Sequence, residues 1–427
     1  MTAWIFVPFL VTLLVGVPIA FALGISATTF LIVWDKVPFT VIAQRFYSSV
    51  DVFVLLSIPF FILAGELMNK TGITTRLVKF AGLVVGRLRG GLAQANIGAS
   101  ILFAGLTGAG VSDTSAIGSI LIPAMKEDGF EADYSAAVTA ASSVIGPIIP
   151  PSIIMVVFGS IMGISIGALF AAGFVPGILV GLALMIMAYI IGVKRNHPYR
   201  KEKVGAMELI KGTKDAVLAL LMPVIIIGGI LSGVFTPTEA AAVATCYALV
   251  VGFFVFKTLK LKDIPACLLK SATTTSILIL IVGFASVLSW TLSIERIPQA
   301  LAKALVSANL GRVQFLLLVN VLLLFMGMIM ETGANAILLG PILMPLAIRL
   351  GIHPVHFALI MLVNLNIGLA TPPLGVCLFV ACPIAGVSMM KISKAIAPFI
   401  VMEIAALMLI TFIPDLVLFV PRLLGFA

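Results

Sequence analysis

The chain has 427 residues, 61% of them hydrophobic and only 10% charged, with a mean hydropathy of +1.25. No water-soluble domain can cover that much apolar side chain, so composition excludes a soluble globular protein and makes lipid the solvent. The formal charge of +9 sits in short loops between apolar runs, which reads as topogenic charge and not as a nucleic-acid surface.

The first apolar run, 4–34, lacks a basic leader and a small-residue cleavage site. It is therefore read as a permanent membrane segment, one long span or two short ones. A span at 52–69 follows, then an apolar stretch at 92–126 whose centre is rich in Gly, Ser and Thr. Residues 132–157 form a span broken at Gly146-Pro147-Ile148-Ile149-Pro150-Pro151-Ser152. A further span at 166–193 leads into the most basic loop of the chain, 194–203. Spans at 214–233 and 239–256, a short amphipathic arm at 258–271 with Lys260, Lys262 and Lys270, and a span at 273–292 come next. The earlier pattern then returns: a Gly/Asn-centred stretch at 313–351, a span at 354–380 broken at Gly368-Leu369-Ala370-Thr371-Pro372-Pro373-Leu374, and a last span at 388–415. The four cysteines, Cys246, Cys267, Cys377 and Cys382, are scattered through apolar segments and read as packing residues.

The two breaks lie 222 residues apart, and the same offset pairs Gly105, Gly118, Pro123, Gly129, Gly146, Pro150, Pro151 and Pro176 with identical residues downstream. The stretches 92–126 and 313–351 are 35 and 39 residues long. Two full spans would need about 40 apolar residues plus a turn. Each has small polar residues at its middle, so both are read as re-entrant helical hairpins whose tips stop inside the membrane. Such backbone is tolerated only where protein or a water-filled cavity surrounds it. Lysine and arginine place the 194–203 loop on the cytoplasmic side. Counting from there gives five crossings between the equivalent positions 41 and 263, and an odd number inverts one copy relative to the other. The expected fold is an all-α polytopic membrane protein with inverted repeats, two hairpins and two broken helices.

A broken span leaves backbone carbonyls without helical partners, and buried carbonyls must be satisfied. Sodium, a hard cation that accepts carbonyl and hydroxyl oxygens, suits them. The expected first sodium site combines Thr107, Ser112 and Asp113 at the hairpin tip with Gly146, Ile149 and Pro151 at the break. The second combines Thr332, Gly333 and Asn335 with Gly368, Thr371 and Pro373. Ser112, Thr114 and Asn335, with Pro150 and Pro372, are the expected substrate-facing positions. The blander alternative is that Gly and Pro only kink helices and Ser and Thr bond to their own turns. The N-termini of the tip helices favour an anionic substrate group. Four acids, Glu66, Glu239, Glu331 and Glu403, lie in or beside apolar runs, Glu331 at a tip; Glu239 reads as a helix start capped by Thr238. There is no Ser/His/Asp set, P-loop or GxGxxG, so the sequence supports neither an enzyme nor an ATP-driven pump.

The segments GLTGAGVSDTSAIGSILIPAM (105–125), GPIIPPSIIMVVFG (146–159), GVFTPTEAAAVA (233–244) and GLATPPLGVCLFVA (368–381) closely resemble the large membrane subunit of tripartite ATP-independent periplasmic (TRAP) transporters. The resemblance runs along essentially the whole chain. It implies an elevator fold in the bacterial inner membrane, with scaffold and arm helices at 1–80 and 178–272. One half of a transport domain would lie at 81–177 and the other in the second repeat, 273–427. It also implies sodium-driven import of an organic acid such as sialic acid or a C4-dicarboxylate. Two partners follow from it: a small membrane subunit of four spans, expected as a separate polypeptide, and a periplasmic binding protein. A stand-alone sodium/carboxylate symporter is the alternative.

Overall fold

The computed structural model describes residues 3–199, 204–297, 299, 300, 303, 311–373 and 375–426; for Thr107 and Ala206 it describes the backbone only. The described residues form helices and the turns between them, with no strand among them. Eight helical stretches are long and apolar enough to cross a bilayer: Phe53–Lys70, Ile166–Lys194, Met207–Leu231, Pro237–Val255, Leu261–Ile294, Arg312–Ile329, Thr332–Arg349 and Met389–Phe412.

The first run divides into α1 (Ala3–Leu14) and α2 (Ile19–Trp34), because Gly16 adopts φ +86° and Pro18 stands before α2. An amphipathic helix, α3 (Thr40–Val50), precedes α4 (Ser57–Lys70). A helix absent from the sequence reading, α5 (Ile73–Val85), then carries Arg76 and Lys79. The first hairpin is α6 (Gly91–Thr107) and α7 (Gly110–Glu127); the first broken helix is α8 (Ala132–Ser142) and α9 (Ile153–Met162). Next come α10 (Ile166–Lys194), α11 (Ala206–Leu231) and α12 (Pro237–Val250). The cap of α12 is Thr236, not Thr238: Pro237 fits the first helical position, and Thr236 and Glu239 exchange backbone N–H bonds.

The separate arm at 258–271 and span at 273–292 are corrected to one helix, α13 (Ile264–Ile294). Nothing between Pro265 and Gly283 breaks it, and Lys270 is held 2.7 Å from Glu66 on α4, which neutralises the charge that suggested an interfacial arm. The second hairpin is α14 (Arg312–Ile329) and α15 (Thr332–Arg349), and the second broken helix is α16 (Pro354–Gly368) and α17 (Val376–Ala385). The last run is α18 (Met389–Phe412) followed by a short α19 (Asp415–Leu423).

Two groups of helices share most of the packing. Helices α2, α3 and α4 pack on α13, α12 packs on α4, and α11 packs on α5 and α12. The hairpins and broken helices pack with α10, α18 and α19, and the two groups meet where α5 touches α6 and α13 touches α15. Within the second group the helix starts keep the 222 offset: Gly110 and Thr332, Ala132 and Pro354. The contacts keep it too. A side chain at Gly118 on α7 would meet Ile384 on α17 at 3.6 Å, and one at Gly340 on α15 would meet Met162 on α9 at 3.3 Å. Glycines 118 and 340 are equivalent, as are 162 and 384. Each hairpin's second arm thus lies on the second half of the other copy's broken helix.

Close backbone approach sets this packing. A Cβ at Gly368 would fall on the backbone of Gly327, so α14 and α16 touch with no side chain between them. Gly368→Ala is expected to cost on the order of 1–3 kcal/mol, as overpacking does, seen as a lower Tm in detergent. Gly228→Ala on α11, where nothing lies within 4 Å, is expected to leave Tm unchanged.

Candidate functional site

The first tip and the first break meet face to face. The turn from α6 to α7 passes through Gly108 at φ +60°, where a Cβ would lie 2.8 Å from the carbonyl of Pro151 and 3.2 Å from the N–H nitrogen of Ile153. One turn on, Gly110 abuts the carbonyl of Ser143, and the carboxylate of Asp113 lies directly over the Cα of Gly146. Asp113 is fully buried. The structure thus brings Asp113, Gly146 and Pro151 together. Ser112 is half-buried on the same turn, and the side chain of Thr107 lies outside the described residues. The Ile149 side chain points away, onto Gly177 of α10, so of this residue only the backbone is available to the seam. Thr114 is buried and gives its hydroxyl to its own turn at Gly110 O, 2.9 Å away.

Break one runs through a 3₁₀ turn (Ser143–Ile145) and an irregular stretch to Ser152, which caps α9 by accepting the N–H of Met155. The N–H groups of Gly146, Ile148 and Ile149 bond back to Ser143 and Ile145. Among the described residues, however, no donor reaches the carbonyls of residues 146–151. Pro150 and Pro151, joined by a cis peptide, are buried.

The second seam is built from the same parts. Thr332 donates to Leu365 O on α16 at 3.4 Å, and Thr371 returns its hydroxyl to Ile367 O at 2.7 Å. Asn335 gives its amide N–H groups to Met326 O and Met330 O, both at 3.0 Å, which ties the end of α14 to the start of α15. Its Oδ1 has no donor among the described residues. No described donor reaches the carbonyls of residues 370–373 either. Pro372 and Pro373 share the cis peptide, but Pro373 is exposed where Pro151 is buried. Gly333 lies beside Ile154 on α9, as Gly110 lies beside Leu369 and Cys377, so each tip also touches the other break. Gly368 faces Gly327 and not a tip carboxylate, a difference from Gly146 that follows from Asn335 standing where Asp113 does.

Glu331 has a structural role: it is the N-cap of α15 and accepts the N–H of Ala334 at 3.3 Å. The sequence reading missed the polar network behind the first seam, in which Asn96 on α6 donates to Thr139 and Ser142 donates to Asn96 across to α8. It also missed Asn364 on α16, which donates to Asn320 on α14. Polar residues on apolar helices at 96, 320 and 364 were the available signal. A cavity of about 1200 Å³ lies apart from both seams, between α5, α11 and the outer ends of α6 and α7, lined by Arg76, Lys79, Glu127, Asp128 and Lys211 among others.

An all-helical chain with this many spans, in which two hairpin tips close over two interrupted helices deep in the packing, is a multi-pass membrane transporter in architecture. The fold is similar to that of the YdaH transporter of Alcanivorax borkumensis, at a TM-score of 0.62 and 14% identity over 87% of each chain. It is also similar to Neisseria gonorrhoeae MtrF, at a TM-score of 0.55 and 13% identity over 87% of this chain and 82% of that one.

Residues 6–416 match the family model "Tripartite ATP-independent periplasmic transporter, DctM component", and the chain belongs to this family of large TRAP permeases. The Vibrio cholerae sialic acid TRAP transporter large permease protein SiaM is 40% identical over 96% of both chains. The Rhodobacter capsulatus C4-dicarboxylate TRAP transporter large permease protein DctM is 37% identical over 97% of both. The isethionate TRAP transporter permease protein DctMQ of Oleidesulfovibrio alaskensis is 40% identical over 96% of this chain, which spans 65% of that protein's length. These relatives are transporter permeases and not enzymes.

Asn335→Ala removes both bonds that fasten the second tip. It is expected to destabilise the tip by on the order of 1–3 kcal/mol, read as faster amide hydrogen exchange over 326–335 with exchange over 104–113 unchanged.

Proposed function

We propose that this chain is the membrane permease of a sodium-coupled importer for an organic acid of the sialic acid or C4-dicarboxylate class. The observation that carries the reading is the pair of carbonyl runs, 146–151 and 370–373, which no described donor satisfies; the first tip lies against Pro151 at Gly108, and the second reaches α16 through Thr332 and Leu365 O, just before its run. Buried carbonyls without donors are costly in a membrane protein. Two sodium ions satisfy them. The first takes the carbonyls at Gly146, Ile149 and Pro151 with Thr107, Ser112 and Asp113. The second takes those at Thr371 and Pro373, and the carbonyl of Gly368 beside the Thr371 N–H that it already accepts, with Thr332, Gly333 and the Oδ1 of Asn335, which has no donor among the described residues. The substrate acid sits between the tips, against Ser112, Thr114, Pro150, Asn335 and Pro372.

Inverted repeats are supported by the reciprocal contacts, since a two-fold relation makes residue i touch j wherever j touches i. The arms of the hairpins, 17 and 18 residues in the first and 18 in each arm of the second, are about 26–27 Å long at 1.5 Å per residue, just short of the ~30 Å hydrocarbon core. Those lengths equal the shortest stretches able to span, so it is the small polar residues at the turns that support tips stopping inside the bilayer. The separate packing of α2–α4, α11, α12 and α13 supports a fixed scaffold, against which hairpins and broken helices move as an elevator. Family membership supports the two partners, a small four-span subunit and a periplasmic binding protein that hands over the substrate, and a place in the bacterial inner membrane.

Proteoliposomes holding this chain and its small subunit test the reading. Uptake of labelled sialic acid or a C4-dicarboxylate is expected only with an inward sodium gradient and an added binding protein. Uptake with sodium alone makes the chain a stand-alone symporter, and uptake indifferent to sodium refutes the seams as ion sites. Asp113→Asn, and Gly146→Ala, which drives a methyl group into the Asp113 carboxylate, are each expected to raise the sodium concentration for half-maximal uptake at least ~10-fold, about 1.4 kcal/mol.

A further inference from the structure

One carboxylate stands outside both seams. Glu403 lies in the middle of α18, one of the helices long and apolar enough to span, is 0% exposed, and neither of its oxygens has a hydrogen-bond partner among the described residues. An ionised carboxylate in such surroundings does not stand alone; it holds a proton or another cation. Its position is informative. Cys377 on α17 lies within electrostatic reach of both Glu403 and Asp113, and its sulfur is 3.6 Å from where a side chain at Gly110 would begin. Glu403 is therefore near α17, the helix whose Cys377 lies beside Gly110 of the first tip.

The fold does not need an acid here. The equivalent position under the 222 offset is Gly181 on α10, covered by Ile101 and Ile145. Of the ionisable groups on the helices packed against α18, Tyr134 keeps a buried hydroxyl with no partner among the described residues, one turn from Glu403, and others are hydrogen-bonded or lie toward the helix ends. Tyr134 on α8 packs on Phe399, with ring centroids 5.9 Å apart. The Nε2 of His356 on α16 is 2.9 Å from Ile410 O, and Asp415 and Arg422 on α19 pair with each other at 2.6 Å. On α10 the ionisable groups, Tyr189 and Lys194, are confined to its last two turns. Among the described residues no three His, Cys, Asp or Glu side chains cluster as a metal site, which fits a monovalent occupant and not a multivalent one.

We propose that Glu403 is a third cation position of the transport machinery, taking one monovalent cation, a proton or sodium, beside the two seams. This rests on the transporter reading above. The test compares wild type with Glu403→Gln, an isosteric neutral change, in proteoliposomes with the small subunit and binding protein. The cation-to-substrate ratio is read from the reversal potential, and lumen pH from a trapped dye. The variant is expected to carry one cation fewer per substrate. If a proton is the occupant, uptake by wild type acidifies the lumen and uptake by the variant does not. If sodium is, lumen pH stays level in both and the sodium count falls by one. An unchanged ratio with unchanged lumen pH overturns the proposal and leaves Glu403 a permanently neutral packing group.

If the variant does not transport, the dependence of its Tm on sodium concentration and on pH in detergent decides. A shallower slope of Tm against log sodium concentration or against pH than in wild type supports the site, and unchanged slopes in both overturn it. A wild type whose uptake ignores sodium would refute the seams, while the proton measurement would still judge Glu403 by itself.

Discussion

In a lipid-solvated chain every backbone donor and acceptor must find its partner inside the protein, and the rest of this structure follows from where that rule is relaxed. Over most of the length it is met by helices. At two places Gly and Pro remove it: the N–H groups of break one return to Ser143 and Ile145, but the carbonyls that follow have no described donor. The hairpin tips exist to cover those carbonyls. Close cover requires glycine on the tip side, and Gly108 and Gly110 supply it where the tip backbone comes up against Pro151 and Ser143.

The two copies differ where their chemistry differs. Asp113 brings a charge to the first seam, and the space over Gly146 is filled by its carboxylate; Asn335 brings none, turns its amide to Met326 and Met330, and leaves Gly368 to pack on Gly327. An amide that spends its N–H groups on fastening a tip still offers an oxygen, so the second seam remains a set of neutral acceptors. A cation held by a carboxylate is bound more strongly than one held by neutral dipoles in the same low dielectric. On the proposed sodium reading, the first seam would hold its ion more strongly than the second.

Much of this could be read from the sequence because its signals are local. Breakers inside an apolar run, a fixed offset between identical Gly and Pro residues, and polar residues at the centre of a 35-residue stretch all mark themselves. What was not legible depends on neighbours distant in the chain. Lys270 looked like an interfacial arm until Glu66, 204 residues away, was seen to hold it. That Glu331 caps α15, through the N–H of Ala334, was not legible either, because the start of that helix was not. The amphipathic α5 was hidden because Arg76 and Lys79, on the side away from its buried face, interrupt the apolar run in sequence, and the packing of Arg76 over Phe256 is tertiary.

The crossed seating of the hairpins has a mechanical consequence. Gly110 rests beside Leu369 and Cys377, and Gly333 rests beside Ile154, so each lid is hinged on the floor of the other chamber. Displacing either tip disturbs the helix that shapes the opposite seam, so on the proposed sodium reading the two ions would be coupled. Linkage of this kind is mutual: whatever affinity the first ion lends the second, the second returns. On the proposed sodium reading, the occupancy of one seam is then felt at the other.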